Sequence, residues 1–113
     1  MALRRSLPNT AIDTACRRFR VLGEPMRIRL LERLRCGEAT VTELTQATGG
    51  SGQNVSKHLS VLLEAGIIDR RKQGTASIYR ISDETVFELY EWVWESIERE
   101  AAALGELIAA AQP

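Results

Sequence analysis

The chain has 113 residues, 44% hydrophobic and 27% charged, a composition that suits one ordinary folded domain and excludes disorder as the default. Its 15 Lys+Arg balance 15 Asp+Glu, yet the sign is segregated: residues 1–81 carry 14 against 7, residues 82–113 carry 1 against 8. A basic body with an acidic tail fits a polyanion-binding part joined to an element that stays off the polyanion.

A flexible arm is expected over residues 1–8, followed by a single domain over 9–111. Asn9 or Thr10 can cap a first helix over 10–22, with Ile12, Ala15, Cys16, Phe19 and Leu22 at apolar 3/4 spacing and Arg17, Arg18 and Arg20 outside. Gly23 ends it, and Glu24-Pro25 restarts a helix, because proline at the first helical position loses no needed N–H. Met26, Ile28, Leu30, Leu31 and Leu34 form its inner face and Gly37 stops it. Thr40 and Glu43 read as a capping box opening a short helix to about Thr48, with Leu44 and Ala47 inward.

After the turn at Gly49-Gly50, Ser51 caps a longer helix that Gly66 terminates in a left-handed conformation. Val55, Leu59, Leu62 and Leu63 make its apolar stripe, while Gln53, Asn54, Ser56, Lys57 and Ser60 lie opposite. That polar face has donors, acceptors and one cation, and no carboxylate before Glu64, which suits base edges and their flanking phosphates. Two helices joined by a glycine turn give a helix-turn-helix over about 40–65.

The period then changes. Segments 67–72 and 76–81, joined by Gln73-Gly74-Thr75, predict a β-hairpin over about 67–81 carrying Arg70, Arg71 and Lys72. A cationic hairpin directly after the second helix of a helix-turn-helix reads as a wing. Ser82 or Asp83 can cap a last helix over about 83–111. Its apolar positions Val86, Tyr90, Val93, Ile97, Ala101, Leu104, Ile108 and Ala111 step by threes and fours, a stripe too long for one small core. Covering it with a second copy is cheaper than leaving it in water, and the first helix is the second contributor. The fold expected is mainly α with a small hairpin: a winged helix-turn-helix ordered helix, helix, helix, recognition helix, strand, strand, helix, and dimeric.

Several phrases together resemble the ArsR/SmtB-type family of small bacterial winged-helix repressors: residues 22–31, Thr42-Glu43-Leu44, 54–62, 64–68 and Tyr79-Arg80-Ile81. The resemblance runs from Phe19 to about Leu107. It implies a homodimer joined through the first and last helices, here Phe19, Val86, Tyr90, Val93, Ile97 and Leu104. It implies two recognition helices on successive major grooves of an imperfectly palindromic operator, and repression relieved by an inducer. DNA contacts are expected from Gln53, Asn54, Ser56, Lys57, His58 and Ser60 on the recognition helix, and from Arg71, Lys72 and Tyr79 on the wing; within its phrase His58 stands either next to phosphates or packed at the helix-turn-helix joint.

The family's sensing boxes are replaced. Where a thiolate site has a Cys-Val-Cys phrase the chain has Thr40-Val41-Thr42, and hydroxyls do not replace thiolates for soft metals. On the last helix Asp83 remains, but Thr85, Ser96 and Arg99 stand where imidazoles belong. One histidine and two cysteines cannot complete a zinc site within one subunit. Cys16 and Cys36 are expected as free, partly buried thiols, and as the sensing candidates, with neighbouring arginines to favour the thiolate. No cofactor is expected; the inducer is a thiol-reactive species or a metal ion of unknown ligands. An enzyme is not expected, since no nucleophile–base cluster forms. The rival reading is a winged-helix protein–protein interaction module without an inducer site. With no apolar run near the ~20 residues that span a bilayer and no apolar signal segment, a cytoplasmic protein off the membrane is expected.

Overall fold

The computed structural model describes residues 6–111, so most of the arm expected over 1–8 lies outside the described residues. Five helices and three strands follow in the order α1 (Asn9–Leu22), α2 (Pro25–Arg35), β1 (Ala39–Thr40), α3 (Val41–Thr48), α4 (Gly52–Glu64), β2 (Ile68–Gln73), β3 (Ala76–Ile81) and α5 (Thr85–Ala110). They divide into two units, Met1–Asp83 and Glu84–Pro113.

In the first unit the local signals act as their chemistry dictates. Glu24 accepts the Arg27 N–H ahead of Pro25. The Thr40 hydroxyl accepts the Glu43 N–H while the Glu43 carboxylate accepts the Thr40 N–H, so two donors that a helix start leaves orphaned are satisfied. These bonds hold the Glu43 carboxyl below the usual range, the Thr40 N–H being the larger cause. Gly49 closes α3 at φ 74, a left-handed conformation that favours glycine, and Gly66 follows α4 at φ 76. Leu30, Leu31, Leu44, Val55, Leu59, Leu62, Ile67 and Ile68 make a core in which each is at most 1% exposed.

The hairpin pairs Gln73 with Ala76, so the loop itself is Gly74-Thr75, one residue shorter than expected. A third strand was not foreseen: β1 pairs antiparallel with β3, Ala39 against Tyr79 and Thr40 against Ile78. A two-residue strand has no alternation to read, and Thr40 serves both as a strand residue and as the α3 cap.

Four further expectations are corrected. α1 starts after Pro8 with no side-chain cap, rather than on an Asn9 or Thr10 oxygen. Of its supposed inner face only Leu22 is buried; Ile12, Cys16 and Phe19 are exposed, Phe19 at 61%. Ala47 of α3 is exposed, which leaves Leu44 as that helix's buried residue. The cap position of α5 is Glu84, not Ser82 or Asp83; the Ser82 hydroxyl donates to the Gly66 carbonyl and Asp83 pairs with Arg18 at 2.9 Å, both long-range partners.

The second unit is α5, 26 residues with Glu84 at its cap position. Val93, Ile97, Leu104 and Ile108 are exposed along the expected stripe, Trp94 and Leu107 widen it, and Trp92 is exposed on the side of Glu88 and Glu95. Val86, by contrast, is 1% exposed and Tyr90 half-buried. A side chain already covered in its own chain has little surface left for a second copy, so Val86 is withdrawn as a dimerisation residue. No helix among the described residues is long and apolar enough to cross a membrane.

Candidate nucleic-acid interface

α4 is held from one side only. Its buried residues Val55, His58, Leu59 and Leu62 recur at helical spacing, and the helix packs on α2, α3 and β2 through that face. Ser51 starts it by accepting the Asn54 N–H at 3.1 Å. Gln53, Asn54, Ser56, Lys57 and Ser60 are exposed on the other face, as their spacing predicts. Among the described residues the side chains of Gln53, Asn54 and Lys57 make no hydrogen bond or ion pair within the chain, so a ligand recruits them without breaking a contact. Ser60 donates to the Ser56 carbonyl at 3.0 Å and keeps its lone pairs free to accept. Glu64, the one carboxylate of α4, lies at its far end.

The wing is exposed from Asp69 to Gln73. Strand alternation puts Arg70 and Lys72 on one face and Arg71 on the other. Arg71 is engaged, donating to Glu38 at 2.7 Å and to Gln73 at 3.3 Å. Both members of the Arg71–Glu38 pair are nearly half-exposed, and such pairs contribute about 0–1 kcal/mol, so a phosphate can compete for the guanidinium. Arg70 was not singled out from the sequence as a contact. Its two-residue spacing from Lys72 was the available signal.

Two of the expected DNA contacts, Tyr79 and His58, are buried, His58 as the packed alternative of its reading. Tyr79 is 6% exposed and lies opposite Ala39 across the sheet, so its ring is part of the core. His58 is 9% exposed and sits on the inner face of α4, 3.0 Å from Arg27 Nη1 and 3.8 Å from Glu24 Oε2. It is three residues from Val55, inside the helical stripe, which is why it points inward. The Arg27 N–H above all, with lesser electrostatic help from His58 and then from the Arg27 charge, holds the Glu24 carboxyl below its usual value.

Cys16 and Cys36 are both free and exposed, not partly buried. Cys36 Sγ lies 3.8 Å from the Glu32 carbonyl, as a helix-end thiol turned back on its own turn. No group of three or more His, Cys, Asp or Glu residues suited to a metal gathers among the described residues.

An exposed polar recognition face on a glycine-turned helix pair, followed at once by a cationic hairpin wing, is an arrangement shared with known proteins. The profile described as a helix-turn-helix domain matches residues 22–71. A probable mercury resistance operon repressor of Streptomyces lividans is 37% identical over 83 residues, 74% of this chain and 66% of that one, just under two thirds of its length. The AntR antimony-specific transcriptional repressor superposes with a TM-score of 0.76 at 31% identity, covering 88% of this chain and 90% of the other. A homodimeric winged helix-turn-helix DNA-binding domain from Mycobacterium bovis gives 0.72 at 28% identity, covering 89% and 94%. These relatives are regulators rather than enzymes, and their likeness extends over the recognition helix and the wing alike. By fold and by sequence, the chain belongs to the ArsR/SmtB-type family of winged helix-turn-helix transcriptional regulators.

Proposed function

We propose that the chain is a cytoplasmic, homodimeric repressor that binds a specific double-stranded operator and is released from it by an inducer. The observation that carries this reading is the unpartnered face of Gln53, Asn54, Ser56 and Lys57, exposed on a helix whose other face is locked in the core. Base edges ask for side chains that donate and accept in fixed places, and phosphates ask for cations beside them. Arg70, Arg71 and Lys72 supply the latter from the wing.

The two roles predict different outcomes. Replacing Gln53 or Asn54 by Ala should relax base preference, costing about 1–3 kcal/mol on the preferred site if the contact is bidentate. Replacing Arg71 or Lys72 by Gln should weaken all sequences alike and flatten the salt dependence by about one unit per lost contact. Binding titrations on a selected and a scrambled duplex over a range of salt separate them. Unchanged preference in both α4 variants would displace the recognition helix from this reading.

For the inducer we place the response on Cys16 and Cys36. The names of two relatives speak of mercury and of antimony, both soft elements that favour thiolate. Exposed thiols also react with oxidants through their thiolate fraction, and Arg17 and Arg18 follow Cys16 directly. Mercuric ion, antimonite and peroxide should each be tested for release of DNA from the parent and from the Cys16→Ser/Cys36→Ser protein. Release by at least one agent in the parent and by none in the double variant is expected. Release that persists unchanged puts the sensor elsewhere.

A further inference from the structure

His58 is buried, and its one nitrogen with a close partner, Nδ1, lies 3.0 Å from Arg27 Nη1. A guanidinium has only donors, so Nδ1 is the unprotonated nitrogen and the ring proton is on Nε2. The same guanidinium donates from Nε to the Val21 carbonyl at 2.6 Å and from Nη2 to the Arg20 carbonyl at 3.2 Å. Those carbonyls belong to the last turn of α1, where a helix leaves acceptors without partners and a cation is favoured. One side chain of α2 therefore ties the end of α1 to the middle of α4. A second charged group faces the imidazole: Glu24 Oε2, at the α2 cap, stands 3.8 Å from Nδ1 while accepting the Arg27 N–H at 3.0 Å. α3 and β2 also pack on α4, and among the described residues neither places an ion pair or hydrogen bond on His58.

We infer that Arg27 and His58 are positioning residues for DNA binding, through one N–H···N bond that orients α4 and exists only while the imidazole is neutral. DNA affinity therefore falls on acidification. The inference rests on α4 being the recognition helix, as read above.

The switch is a change of partner at one atom. A proton taken from solvent onto Nδ1 turns an acceptor into a donor, so the Arg27 bond is lost and two cations face each other about 3 Å apart. The new N–H has Glu24 as its acceptor, a carboxylate that the Arg27 backbone keeps ionised. Turning the ring from Arg27 toward Glu24 moves the helix that carries it, because an inward side chain in a packed core has no slack. The sign is diagnostic. Phosphates near any solvent-facing histidine favour its cation and would strengthen binding at low pH, whereas this bond predicts weakening.

The test uses the full-length protein and a duplex recovered from a random-sequence pool at pH 7.5, titrated at pH 7.5 and 5.5 at constant ionic strength. The parent should lose about fivefold or more in affinity at the lower pH. His58→Asn keeps an acceptor where Nδ1 stands and cannot take up a proton, so its affinity should not change between the two pH values. Nitrogen NMR of the imidazole should show the Nε2–H tautomer at pH 7.5, a readout independent of how well the variant folds. Parent affinity that is flat or rises at pH 5.5, the same fall in His58→Asn, or an Nδ1–H tautomer overturns the inference. Failure to recover any preferred duplex at pH 7.5 would count instead against the DNA-binding reading.

Discussion

Ile97→Glu should turn a dimer into a monomer and cost DNA affinity about a hundredfold or more, since a two-site grip loses its effective concentration when the link is cut. Ile97 is 45% exposed in the chain, so the substitution places no charge in the protomer's own core. The proposed partner is a second copy meeting the α5 stripe of Val93, Ile97, Leu104 and Ile108, widened by Trp94. Two-fold symmetry would bring two new carboxylates to one interface, unpaired and close to each other, each costing several kcal/mol. Most natural carboxylates of α5 respect this geometry: Glu88, Glu91, Glu95, Glu98 and Glu106 fall away from the stripe on the helical wheel, whereas Glu100 falls on it, between Ile97 and Leu104. Sedimentation at micromolar concentration reads the mass, and a duplex titration reads the affinity. Circular dichroism should show the helices intact. A variant that remains dimeric, or a parent that is monomeric, would remove α5 from the interface.

What could be read from the residues was local. Ser51, Gly66, Gly49 and the Thr40–Glu43 box set helix ends through bonds to neighbours a few residues away, and these ends appear where they were expected. The order of elements followed from them, and with it the recognition face, since Gln53, Asn54 and Lys57 need only the helical period to be placed. The misses came from long-range partners. Ser82 looks like a cap until the Gly66 carbonyl claims it, and the cap position falls at Glu84. β1 depends on register with Ile78 and Tyr79, nearly 40 residues away in sequence. Hydrophobic counting skipped His58, because a histidine on an inner face is acceptable only with a partner, and Arg27 is 31 residues distant. The apolar side of α1 was legible as apolar. That it is exposed in the chain required the structure, and it strengthens the case for a second copy.

Leu59→Ala should lower the stability of the fold by about 2–5 kcal/mol, the range for deleting a buried leucine side chain whose cavity only partly collapses. Leu59 has no exposed surface and lies next to His58 on the face by which α4 packs against α2, α3 and β2. A core of this size has no spare layer, so neighbouring side chains cannot all close the gap. Thermal melting should shift down by at least about 8 °C, taking about 4 °C per kcal/mol as the lower bound for a domain of this length. Parent and variant must be compared at one protein concentration, because association adds stability by mass action. Lys57→Ala is the counterpart on the outer face of the same helix: exposed and without an intrachain partner, it should alter melting by no more than about 0.5 kcal/mol while weakening DNA binding. The two variants separate what α4 does for the fold from what it does for the operator. A melting change below about 1 kcal/mol in Leu59→Ala would mean that α4 is not seated on the core, and a recognition face on an unseated helix could not hold one register on DNA.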